Sequence, residues 1–151
     1  MSETLRTLII AAIAIAAGFT WQSLRAAAIP VAAPERLIAE LRLAQMAALL
    51  LALVAGVYVG FAAAHDAQVG TSVDVALAIG FFLVAAATMI RDPRQALTIL
   101  ALGFAAHAVV DIAHQPGALP DGIVPRWYAV GCAVFDLYVG ALAYLPILRR
   151  S

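Results

Sequence analysis

Apolar residues along this chain run in continuous blocks; they alternate with polar residues neither at the strand period nor at the period of a surface helix. Five blocks are separable, at residues 5–24, 41–64, 73–90, 95–115 and 127–148. A helix rising 1.5 Å per residue needs about 20 residues to cross a hydrocarbon core of about 30 Å. Four blocks meet that length, and the third needs its flanks to complete the crossing. The pattern predicts an all-α fold: an integral membrane helical bundle of five transmembrane helices, forming one domain over residues 1–151. The breaks between blocks carry helix-start chemistry. Asp92 before Pro93 reads as an N-cap followed by a first-turn proline, and Pro34 and Pro125 read the same way. An amphipathic turn at Pro34 would start the second helix early. Thr71, Ser72 and Asp74 supply caps for the third. Residues 115–125, with Pro116, Gly117, Pro120 and Gly122, form the one long loop after the first connection.

Composition strengthens this reading. The chain is 65% hydrophobic and 12% charged, with a mean hydropathy of +0.99. Soluble domains carry about a quarter charged residues, so water is the wrong solvent for most of this surface. The formal net charge is zero, which gives no electrostatic footprint for nucleic acid. The chain contains no lysine, which excludes a lysine Schiff base to retinal or pyridoxal phosphate. A lone cysteine, Cys132, excludes an intrachain disulfide and a multi-cysteine metal site.

Arginines set the expected orientation. With five spans, Arg25, Arg36, Arg42, Arg91, Arg94, Arg149 and Arg150 fall on one side, and Arg6 and Arg126 on the other. Positive charge marks the cytoplasmic face, so the N-terminus is expected outside and the C-terminus inside, in a bacterial inner membrane. Ala26-Ala27-Ala28 resembles a signal-cleavage site. Glu3 beside Arg6 makes a poor positive leader, however, and an uncleaved first span is expected.

The chemistry sits on the fourth block. His107, Asp111 and His114 project from one narrow stripe of a helix, Asp111 about 40° to one side of His107 and His114 about 20° to the other. An aspartate in hydrocarbon costs about 2.5–3.5 kcal/mol and persists where a partner, a water-filled cavity or a metal compensates it. Tyr58 and His65-Asp66 on the second block, and Cys132 and Asp136 on the fifth, fall at similar depth. Gly131 and Gly140 would let a neighbouring helix approach closely. Imidazoles with carboxylates suit a transition metal, Zn or Fe, so His107, Asp111, His114 and His65 are the candidate ligands. Asp111 and Asp136 are the candidate catalytic carboxylates, with Asp136 a further ligand or an acceptor that fixes a histidine tautomer. The plainer readings run alongside. His65-Asp66 at a helix end is an interfacial, solvated pair; Cys132 is a small packing residue; Trp127-Tyr128 is one aromatic belt and Trp21 the other.

From His107 onward the sequence resembles an uncharacterised family of small bacterial polytopic integral membrane proteins. The resemblance rests on His107, Asp111 and His114, a Pro/Gly loop, Trp127, and Gly131-Cys132-Ala133-Val134-Phe135-Asp136, about the last third of the chain, with a weaker echo at Tyr58-Val59-Gly60. Gln115 stands where members of that family often carry a second histidine. The resemblance implies a helical membrane bundle and assigns no reaction. The expected function is that of a metal-dependent membrane enzyme acting near the outer side on a lipid-like or membrane-dissolved small molecule. The alternatives are a proton or metal-ion transporter using the same residues, a haem protein ligated by His65 with His107 or His114, and a non-catalytic accessory subunit. The partner common to all four is the lipid bilayer.

Overall fold

Each apolar block becomes one helix. The computed structural model describes residues 3–65, 71–114, 119 and 124–149. It contains α1 (Glu3–Ala28), α2 (Pro34–Ala64), α3 (Thr71–Thr88), α4 (Pro93–Ala113) and α5 (Arg126–Leu148), with no strand among the described residues. All five are long and apolar enough to cross a membrane, so the chain is a multi-pass membrane protein. Asp92 caps α4: its carboxylate accepts from the backbone N–H of Arg94 and of Gln95, each at 3.1 Å. Pro34 occupies the first turn of α2. Pro125, by contrast, is the residue that flanks α5 rather than part of its first turn. The third helix starts two residues before its apolar block, and Met89 and Ile90 belong to the turn that follows it.

α2 is the hub, packing against each of the other four helices. α4 packs most extensively on α5, α3 lies against α2 and α4, and α1 lies against α5 and α2. The contacts show the helices alternating in direction: the start of α2 meets the end of α5, and the end of α4 meets the start of α3. One end of the bundle therefore gathers Arg25, Arg36, Arg42, Arg91, Arg94 and Arg149. The other end carries His65 and His114.

Lipid is as apolar as leucine, so close packing and buried polar bonds have to hold these helices together. The core is built of Ala and Leu, with Phe19, Leu43, Leu51, Leu97, Leu100, Phe104 and Val139 completely buried. Ile13, Leu49, Leu83, Leu102, Val109 and Val134 face outward, where hydrocarbon solvates them. At Gly140 a Cβ would stand 3.2 Å from Ala101 O and 3.3 Å from Phe104 Cβ, so its missing side chain sets how closely α5 approaches α4. Gly131 has open space where its Cβ would go and plays no such part.

Two polar devices close the arginine-rich end. Pro146 lies inside α5 and has no N–H, which deprives Leu142 O of its helical donor. The hydroxyl of Ser23 on α1 supplies that bond at 2.6 Å. Arg36, an arginine that the sequence places in an amphipathic turn, is instead almost fully buried. Its guanidinium donates to Glu40 Oε1 at 2.6 Å, to Ile29 O at 2.7 Å and to Pro146 O at 2.6 Å. The last two acceptors lie just beyond α1 and in the final turn of α5, where carbonyls lack helical donors.

Candidate functional site

The buried stripe of α4 changes character along its length. Leu97, Leu100 and Phe104 occupy it in the arginine-rich half, and His107, Asp111 and His114 continue it at the same three- and four-residue spacing. α5 presents Cys132, Asp136 and Gly140 on the facing stripe. Close approach at Gly140 carries the preceding turns of α5 against α4. There His107 Nδ1–H donates to Asp136 Oδ2 at 2.6 Å. Asp111 Oδ2 lies 3.5 Å from the same nitrogen. Cys132 Sγ lies 3.9 Å from Asp136 Oδ2. His107, Asp111, Cys132 and Asp136 are all buried, and one ligand atom from each lies within 4.8 Å of the others.

At 1.5 Å per residue His107 lies about 9 Å and Asp111 about 3 Å from the far end of α4, and Asp136 about 15 Å and Cys132 about 9 Å from the corresponding end of α5. The cluster is therefore displaced towards the end of the bundle opposite the arginines. Two carboxylates and one imidazole cannot balance their charge if both carboxylates are ionised, and a low dielectric penalises the imbalance. Asp111 Oδ2 and Asp136 Oδ1 also have no hydrogen-bond partner among the described residues. Buried polar atoms are nearly always satisfied, so two such oxygens around one imidazole could accept from a water or hold a proton or a cation.

α2 contributes Tyr58, whose hydroxyl donates to Asp111 Oδ1 and fixes that carboxylate. Its ring packs edge-on against His107, centroids 5.3 Å apart, and lies 4.9 Å from the ring of His114. Phe81 of α3 closes the other side of His107 at 4.8 Å. The nearby Tyr128 ring stands 6.3 Å from that of Tyr58. Aromatic walls thus enclose the donors from α2, α3 and α5.

Neither a family model nor a curated protein nor a solved structure matches this chain.

The sequence-derived ligands divide in space. His107 and Asp111 join the cluster with Asp136. His114 turns the other way: Nε2 faces Asp74 Oδ1 at 2.9 Å and Nδ1 faces Val110 O at 2.8 Å, so no ring lone pair is aimed at the cluster. His65 stays at the end of α2, with Nδ1 2.9 Å from Phe61 O, outside the four converging residues. Its neighbour Asp66 lies outside the described residues. Cys132, which reads from sequence as a packing residue, brings its sulfur within ligand reach of the carboxylates. Asp74 reads from sequence as a helix cap and is instead buried against His114, with Oδ2 unpartnered. Depth alone does not assign Asp74, although an acid at the start of α3 falls at the same depth as a histidine at the end of α4. The wheel position of His114 hides it, because one stripe of α4 faces α5 over His107 and Asp111 and faces α3 one turn later.

Proposed function

We propose that this protein is a metal-dependent membrane enzyme that binds Zn or Fe through His107, Asp111 and Asp136, with Cys132 as the fourth donor. The observation that carries the reading is the convergence of four buried ligand groups from α4 and α5 on one point, with unpaired oxygens on both carboxylates. One nitrogen, one sulfur and two carboxylates suit a borderline transition metal better than Ca or Mg, which take oxygen ligands. Such a metal supplies Lewis-acid activation of water or of a substrate oxygen. The chain's own residues hold the frame: Tyr58 orients Asp111, and Phe81 and Tyr128 limit water around them; binding a metal at His107 Nδ1 would release the proton that this nitrogen donates to Asp136.

The depth of the cluster supports a lipid-like or membrane-dissolved substrate, one that reaches the site without leaving the bilayer. A transporter would require polar groups through the whole membrane. Between Asp136 and Glu40 the core consists of Leu43, Ala47, Leu51, Leu97, Leu100, Phe104, Val139 and Ala143, all buried and apolar, which favours a one-sided site. Arginine asymmetry supports an orientation with the arginine-rich end in the cytoplasm and the cluster near the outer face of a bacterial inner membrane. The chain would then be one of the small polytopic bacterial membrane proteins that its last third resembles.

The test is functional. Full-length protein in lipid nanodiscs is incubated with a membrane lipid extract, and the lipids are compared by mass spectrometry before and after. A new product is expected that disappears on chelation, returns with Zn or Fe, and is absent with Asp111→Asn. A lipid profile unchanged by the metal-loaded protein would contradict an enzymatic role and leave the cluster a structural one.

A further inference from the structure

At the arginine-rich end the last turns of α1 and the first turns of α2 border an open cavity of ≈ 190 Å³. Gln22, Arg25, Ile29, Glu35, Ile38 and Arg42 line it. Two guanidiniums, a carboxylate and an amide thus stand over an apolar floor. Arg36, at the same end, is fully engaged by Glu40 and two carbonyls. Arg42 makes no ion pair or hydrogen bond among the described residues, and Arg25 is in ion-pair contact with none of the described carboxylates. The Arg25 guanidinium instead lies over the Trp21 ring, 5.5 Å from its centroid, with Trp21 62% exposed on the outside of the bundle.

The length of α2 fixes the depth of this cavity. Its 31 residues extend about 46 Å, some 16 Å more than a hydrocarbon core of about 30 Å. All four of its charged residues, Glu35, Arg36, Glu40 and Arg42, fall in the first third, so that third is the overhang. The cavity therefore lies at the level of lipid phosphates, and an exposed tryptophan beside it is what that interface favours.

We propose that this cavity binds the headgroup of an anionic membrane phospholipid. Arg25 and Arg42 face the phosphate oxygens from two helices, as guanidiniums do in phosphate recognition. Gln22 and Glu35 face headgroup hydroxyls, and Ile29 and Ile38 lie beside the first methylenes of the lipid. These apolar walls have nothing to offer a free phosphate ion. The site is independent of the metal cluster, which lies in the opposite half of the bundle.

Trp21 serves as the reporter. The full-length chain carrying Trp127→Phe, whose sole tryptophan is Trp21, is reconstituted into phosphatidylcholine bilayers. Brominated phosphatidylglycerol or brominated phosphatidylcholine is then titrated in as quencher. Half-maximal quenching is expected at about five-fold lower mole fraction for the anionic lipid, the effect of one net basic charge at such a surface. In Arg25→Gln/Arg42→Gln, with helicity checked by circular dichroism, the preference for the anionic lipid should vanish or reverse, because Glu35 then leaves the cavity with one net negative charge. Equal quenching by both lipids in the parent overturns the proposal, as does an unchanged preference in the double variant. Loss of the preference on adding inorganic phosphate, while sodium chloride of equal ionic strength preserves it, identifies a free-phosphate site and overturns it as well.

Discussion

His107→Ala is expected to lower the midpoint of thermal unfolding by about 10 °C and to abolish metal retention. The imidazole is the only nitrogen among the four converging groups and stands between Asp111 and Asp136. Removing one partner of a buried ionic cluster costs about 3–5 kcal/mol. For a chain of this size each kcal/mol corresponds to about 2–4 °C. Asp136→Asn separates metal binding from hydrogen bonding, because an asparagine oxygen still accepts from His107 Nδ1. If the cluster holds a metal, the folded state also loses the stabilisation that the ligand gave, so Asp136→Asn should be nearly as damaging as His107→Ala. Chelator-treated wild type should then melt close to Asp136→Asn, which keeps the same hydrogen bond. If the residues only bind one another, Asp136→Asn should shift the midpoint by a few degrees and chelator should change nothing. Thermal unfolding of the three proteins in detergent, followed by circular dichroism, makes the comparison.

A comparable loss is expected at the opposite end from Arg36→Leu. The variant leaves Glu40, fully buried, without its guanidinium, and removes donors from Ile29 O and Pro146 O. The expected destabilisation is again about 3–5 kcal/mol. Replacing both members of a buried pair by apolar residues is often close to neutral, so Arg36→Leu/Glu40→Leu should recover much of the loss. Metal content should be unaffected in either protein, because the clamp and the cluster are separated by the apolar middle of the bundle. A double variant no more stable than Arg36→Leu would show that the carbonyl bonds, rather than the charge pair, carry the effect.

Five spans and their order are legible in the sequence because helix length and apolar continuity are local properties. The α4 stripe is legible for the same reason: His107 and Asp111 share a face whatever surrounds them. Which neighbour each residue meets is a tertiary fact. Asp136 could be matched to His107 by depth and face, since α4 and α5 are antiparallel neighbours joined by one loop. Tyr58 and Asp74 could not be assigned in that way. Their partners depend on α2 passing through the centre of the bundle and on α3 closing against the last turn of α4. Arg36 shows the same limit. Its sequence reads as an interfacial turn, and its burial follows from the free carbonyls that α1 and α5 bring to it. Gly140 and Gly131 look alike in sequence, yet only the first faces a neighbouring helix.

The measurement closest to the central claim is the metal content of the protein itself. Full-length wild type, extracted gently from membranes without chelator, is weighed against its Zn and Fe by elemental analysis. About one metal ion per chain is expected, since a preformed site with four donors holds a transition metal tightly at neutral pH. Asp111→Asn should fall to background, and His65→Ala, outside the cluster, should match wild type. A well-folded wild type that carries no metal, and takes up neither Zn nor Fe on reconstitution, would contradict the account.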